Sequence, residues 1–213
     1  MLIAAADRLI GLSKGHPKRI AKLIEKISIL DTRRIETTLL LVDQFTTAGA
    51  SDEDREIIRA ALRGHIHWHR NYDKTRGQAL DAKLRRVEDI YERLAPADLI
   101  VRHRWFFTDG WPKLPARVRD EGFHKRGELV ETWRINALRE IYLERGMSGI
   151  EELVNACAPE TWYIGLALEK LGREIEALTE WIVEEVVTFN SMNRSQWQYR
   201  DCFAQQRQSI QQL

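Results

Sequence analysis

The chain is poor in the residues that build disulfide scaffolds, flexible linkers and membrane spans. Its 213 residues include two cysteines, and proline and glycine together number 17. Cys157 follows an apolar pattern at helical spacing (Ile150, Leu153, Val154), while Cys202 lies in a polar stretch. Two cysteines in such different surroundings are not a disulfide framework, and they point to a reducing cytoplasm rather than a secreted chain. Scarce proline and glycine exclude collagen-like and low-complexity chains. Apolar runs stop after a few residues, as at Leu39–Val42, whereas a membrane helix needs ~20. Met1-Leu-Ile-Ala-Ala-Ala has no basic segment before it, and Asp7 and Arg8 interrupt it. That excludes a signal peptide and reads as the first turns of a helix to about Leu12. An excess of one charge is missing too, with 33 Lys and Arg against 32 Asp and Glu.

Catalytic signatures are also missing. There is no Gly-x-x-x-x-Gly-Lys-Ser/Thr loop, no Gly-x-Gly-x-x-Gly, no His-Glu-x-x-His and no Gly-x-Ser-x-Gly. The expectation is a protein that is not an enzyme and takes no cofactor.

What the sequence does contain is helical periodicity. Apolar residues make up 44% of the chain, enough for a chain of this length to bury roughly 70% of its unfolded surface. Ile20, Leu23, Ile24 and Ile27 share one face after Pro17, and Ile35, Leu39, Val42 and Phe45 share another before Gly49. Ser51-Asp-Glu-Asp is a helix start, a capping hydroxyl followed by acids in the first turn. That helix carries Ile58, Leu62 and His65 or Ile66 and ends before Gly77. The next, from about Gln78, shows Leu80, Leu84, Val87, Tyr91 and Leu94 on one stripe and stops at Pro96. A short helix over 97–107 precedes an irregular stretch, Thr108 to about Lys125. A long helix then spans Arg126–Arg145 with Val130, Trp133, Ala137, Leu138 and Ile141 inward, and Gly146 reads as its C′ residue. Ser148-Gly-Ile-Glu reads as a capping box for a helix to about Ala156. Further helices cover 159–171 and 173–189.

The fold class is therefore all-α. Helix pairs recur at 17–48, 52–94, 126–156 and 159–189, spacing that fits stacked helical hairpins, solenoid-like or as an irregular bundle. Residues 1–190 read as a single α-helical domain, and 191–213 as a polar Gln/Arg-rich tail, helical or truncated.

Charge is uneven along the chain. Residues 63–86 carry seven Lys/Arg against two acids, and 102–126 seven against three; 148–190 reverse this with nine Glu against Lys170 and Arg173. Such polarity suits a nucleic acid, an acidic protein surface or a head-to-tail neighbour. Glu176, Glu180 and Glu184 align at i, i+4, i+8, either solvated or facing a cation-rich partner.

Candidate sites follow from these stretches. The loop Thr108–Lys125 is the expected partner-binding region, with Trp111, Lys113, Arg117 and Arg119, because long loops on helical scaffolds carry recognition. Trp111 could equally fold back over the 98–107 helix. Basic and aromatic residues interleave at Arg63, Trp68, Arg70, Tyr72, Lys74 and Arg76 and at Arg102 and Arg104, the composition of a nucleic-acid surface. His65 and His69 have the i, i+4 spacing of two metal-binding imidazoles, with His103 or Asp73 as a third donor. The plainer reading packs His65 at a helix contact and leaves His67 and His69 at the surface. Glu121-x-x-His124 matches half of a di-iron motif and occurs once.

The run Arg102-His-Arg-Trp-Phe-Phe-x-x-Gly-Trp-Pro-Lys-Leu-Pro115, with Arg134 through Leu153, resembles helical repeat regions of very large multidomain bacterial NTPases of defence systems. The resemblance covers about residues 102–172. It implies an accessory helical segment of a larger bacterial protein and carries over no catalytic residue. The expectation is thus a cytoplasmic, non-enzymatic helical module for protein interaction or sensing. Its partner would be a protein or other domains of the same polypeptide, with nucleic acid as the alternative and no membrane contact.

Overall fold

A computed structural model describes residues 16–26, 39, 42, 49–72, 78–118, 122–158, 162–178 and 180. The fold is all-α, and no strand occurs among the described residues. The helices are α1 (Pro17–Lys26), α2 (Asp52–Asn71), α3 (Gln78–Arg93), α4 (Leu99–His103), α5 (Gly122–Cys157) and α6 (Trp162–Gly172), with a 3₁₀ turn over Arg104–Phe106. Among the described residues, no helix is long and apolar enough to cross a membrane. The chain divides into two compact units, Met1–Arg102 with Lys113–Gly122, and His103–Pro112 with Phe123–Leu213.

In the first unit α2 is the central element, with α1 and α3 packed on it. Its start is set by chemistry in Ser51, whose Oγ accepts the Asp54 N–H at 3.2 Å while Asp52, Glu53 and Asp54 fill the positive first turn. Asp52 also accepts the Asp98 N–H at 2.6 Å, which ties the start of α2 to the start of α4. Ile58, Leu62 and Ile66 point into the core with Ile20 and Ile24 of α1 and Leu84 and Val87 of α3. Each such side chain, fully buried, contributes about 1.5–3 kcal/mol. Only Glu53, Ala60 and Trp68 of the 20 residues in α2 are exposed. The remaining faces are covered, so polar residues are buried too. Glu56, Arg59 and Arg63 form one cluster, with Arg63 donating to Glu56 at 2.9 Å and Arg59 donating to the Tyr91 carbonyl at 3.1 Å. The Arg59 guanidinium also lies over the Tyr91 ring.

In the second unit α5 is interrupted at Gly146, whose φ of 64° and ψ of −149° lie where only glycine sits without strain. The expected C′ role of Gly146 corresponds to this break. Ser148 does not act as the expected capping box: its hydroxyl donates to the Arg145 carbonyl at 2.8 Å, closing the end of the first half instead. The two halves bury Val130, Leu138, Ile141, Ile150 and Leu153, and Ile164, Leu168 and Leu171 of α6 are buried in the same unit. Arg134 is buried as well. Its Nε donates to the Phe106 carbonyl at 2.7 Å, its Nη2 to the Asp109 carbonyl at 2.6 Å, and its guanidinium stacks 4.0 Å from the Tyr163 ring. Burial pulls its pKa below the ordinary guanidinium value, and these acceptors compensate the desolvated charge.

Candidate partner-binding face

The C-terminal half of α2 is flanked by an irregular strap, residues 113–118, whose backbone polar groups have no helix to satisfy them. Two buried side chains of α2 take that role. His67 Nδ1–H donates to the Leu114 carbonyl at 2.9 Å. Asn71 Nδ2 donates to the Ala116 carbonyl at 3.0 Å and to the His67 carbonyl at 2.8 Å, while its Oδ1 accepts the Val118 N–H at 2.6 Å. Lys113 lies beside Gly64, its Cδ and Nζ 4.0 Å from where a Cβ would stand. The strap therefore runs alongside α2 in the same sense, from Gly64 to Asn71. Leu114 and Val118 turn inward and are buried, which leaves Lys113 and Arg117 outward and exposed.

The stretch of α2 that the strap follows also carries two exposed aromatics. Trp68 and Tyr72 stand one helical turn apart, each 52% exposed. Trp68 meets the His69 ring edge-on at 4.7 Å, and Tyr72 meets His67 at 6.0 Å. Two large rings exposed one turn apart make a small contiguous apolar patch rather than a lone surface hydrophobe, and such patches mark contact sites. The seven steps from Gly64 to Asn71 rise about 10 Å along the helix, which is roughly the separation of the Lys113 and Arg117 anchor points.

The expected partner set is split between the units. Trp111 belongs to the second unit, 44% exposed, with its N–H donating to Asp109 Oδ1 at 2.9 Å and the Arg126 guanidinium 5.7 Å from its ring. Lys113 and Arg117 belong to the first unit, and Arg119 lies outside the described residues. The nucleic-acid set is also divided. Trp68 and Tyr72 are exposed, but Arg63 is buried against Glu56. Arg70 is half-buried in a two-point pair with Glu88, both contacts at 2.6 Å. Arg102 donates to the Pro96 carbonyl at 2.8 Å in the first unit, and Arg104 lies in the second. Lys74 and Arg76 lie outside the described residues.

The histidines correct one expectation and refine another. His67 and His69 are buried rather than at the surface, His67 under the strap and His69, nearly opposite on α2, against His65 where α1 packs. His65 does pack at a helix contact: its Nε2–H donates to the Ile24 carbonyl of α1 at 2.6 Å. The His65 and His69 rings stack 6.5 Å apart, an arrangement that turns faces, not lone pairs, toward each other. Burial lowers the His65 pKa; the Ile24 hydrogen bond opposes this, and His69 and Lys113 reinforce it. Among the described residues no group of three or more His, Cys, Asp and Glu could hold a metal ion. Of the suggested third donors, His103 belongs to the second unit and bonds Glu140 at 2.8 Å, and Asp73 lies outside the described residues, as does Glu121 of the half-motif with His124.

Sequence reasoning missed Asn71, His67 and Arg134 as organising residues. A signal existed for Arg134 alone, which stands at helical spacing between Val130 and Leu138 on the inward stripe. Comparison with protein-family models, curated proteins and solved structures finds no match.

Proposed function

We propose that the chain is a non-enzymatic helical interaction module that docks a protein partner on the Trp68–Tyr72–Lys113–Arg117 face. The observation that carries the reading is the exposed aromatic pair, edged by two cations on a strap that buried hydrogen bonds hold in place. Rigid aromatic anchors within a polar rim are the composition of binding hot spots. The loop residue Trp111 remains part of the reading as a second contact point in its own unit. A cytoplasmic setting in a bacterium, within a larger helical-repeat protein, accompanies this proposal. It draws on the resemblance of residues 102–172 and on the scarcity of cysteine in the chain.

Nucleic acid is the second reading, favoured by the same pairing of stackable rings with cations. The ion pairs of Arg63 and Arg70 weigh against it, since a guanidinium held by a carboxylate neutralises no phosphate. The test uses the immobilised full chain beside its W68A/Y72A and K113E/R117E variants. The proposal expects a polypeptide retained by wild type and lost from both variants. Equal retention by all three contradicts it. Nuclease-sensitive retention, with affinity that collapses between about 50 and about 200 mM salt, selects the nucleic-acid reading instead.

A further inference from the structure

The unit division coincides with a division of charge. The first unit contains 22 Lys and Arg against 17 Asp and Glu, a net of +5, and the second 11 against 15, a net of −4. In the second unit much of the positive charge is already committed at the surface. Arg139 pairs with Glu174 at 2.6 Å, Arg173 with Glu169 at 3.0 Å, Arg145 with Glu152 at 3.0 Å, and Lys170 with Glu131. Glu176 and Glu180 are exposed one turn apart on either side of the buried Leu178, and neither forms an ion pair among the described residues. They are an exposed acidic pair on a unit with surplus negative charge.

Resting on the reading of the Trp68–Tyr72 face as a docking surface, we infer that its occupant is a second copy of this chain, bound head to tail. The surface bearing Glu176 and Glu180 of one copy sits on the Trp68–Tyr72–Lys113–Arg117 face of the next. Charge complementarity selects this occupant. Lys113 and Arg117 stand on anchor points about 10 Å apart along α2, and Glu176 and Glu180, with Cβ atoms about 6 Å apart at i, i+4 spacing, can meet both cations. A whole-chain charge of +1 leaves little repulsion between copies. Because the two contact surfaces differ, each copy keeps one of each after pairing, so association continues beyond a dimer or closes into a ring.

The experiment is sedimentation velocity on the full chain, from low to high micromolar, at about 50 and about 300 mM salt. The expected result is a weight-average mass that climbs with concentration at low salt and returns toward the monomer at high salt. K113E/R117E and E176K/E180K should each weaken association about tenfold or more. An equimolar mixture of the two variants should associate again, since each supplies the surface the other has lost. A strict monomer under all conditions overturns the inference, as does association indifferent to both reversals. A monomer that binds an added Glu-rich helical peptide or a single-stranded oligonucleotide, and loses it with W68A/Y72A, overturns the second copy while the docking face stands. A monomer that binds neither overturns both.

Discussion

Replacing Asn71 with alanine removes three hydrogen bonds at once. The Ala116 carbonyl and the Val118 N–H, held at 3.0 and 2.6 Å, lose their partner where the strap runs beside the end of α2. The His67 carbonyl keeps its helical role and loses only a second donor. A net hydrogen bond is worth about 1 kcal/mol and a buried group left unsatisfied costs about 1–3 kcal/mol. Two stranded backbone groups thus predict a loss of about 3 kcal/mol if the strap stays in place. The strap can instead lift and hydrate, exposing Leu114 and Val118, which are buried to 0% and 4% exposure. Losing those two contacts costs a similar amount, about 1.5–3 kcal/mol for each side chain fully exposed. The two routes separate by hydrogen exchange. Lifting strips protection from residues 113–118 while the amides of α2 and α3 keep theirs; strain in place lowers protection throughout the unit. Either way the thermal midpoint of the chain should fall by about 6–12 °C, at 2–4 °C per kcal/mol for a chain of this length. N71D keeps the acceptor for Val118 but sets a buried carboxylate against the Ala116 and His67 carbonyls, so it should destabilise at least as much as N71A. A change below about 0.5 kcal/mol with an unaltered exchange pattern would refute the idea that Asn71 holds the strap.

Three further outcomes follow from the same geometry. R134A should destabilise the second unit by about 3 kcal/mol, and R134K should recover little of it, because an ammonium cannot match the fork that spans two carbonyls; denaturant unfolding of both variants checks this. G110A should destabilise the same unit and alter the near-ultraviolet signal of Tyr163, since an alanine Cβ would stand 2.3 Å from the Tyr163 Oη. The His65 pKa is lowered in the folded chain, so the folded state favours the neutral ring and the unfolded chain takes up protons first, near pH 6.5. Stability from this group is complete above pH 6.5 and declines as pH falls below it, until the folded pKa is reached. Urea midpoints between about pH 7.5 and 5.5 should show this decline in wild type and a flatter profile in H65Q; parallel profiles would refute it.

Local chemistry made parts of the fold legible. The Ser51 cap, the acids after it, the Pro96 stop and the Gly146 break each depend on a residue and its chain neighbours, and each stands where the pattern placed it. The short helix expected over 97–107 divides into α4 and a 3₁₀ turn closed by the Phe107 N–H on the Arg104 carbonyl, and beyond it the Phe106 and Asp109 carbonyls go to Arg134 rather than to a further helical turn. The site was less legible. Arg63 and Arg70 read as surface cations because their partners are unmarked by spacing: Glu56 lies two turns back along α2, and Glu88 lies on another helix. His67 was expected at the surface because the strap that covers it comes from 47 residues further along the chain. Trp68 and Tyr72 were named among nucleic-acid candidates, and Lys113 and Arg117 among partner contacts. The Asn71 and His67 hydrogen bonds bring the strap that carries Lys113 and Arg117 alongside the half of α2 that carries Trp68 and Tyr72.

The most direct measurement of that face puts a photocross-linker at its centre. Trp68 is replaced by p-benzoyl-phenylalanine in the full chain, with the same substitution at Leu143, 75% exposed, as the control. The docking account predicts a polypeptide adduct from position 68 that is missing from position 143 and suppressed by K113E/R117E. Equal labelling at both positions, or a nuclease-sensitive adduct at position 68, would contradict it.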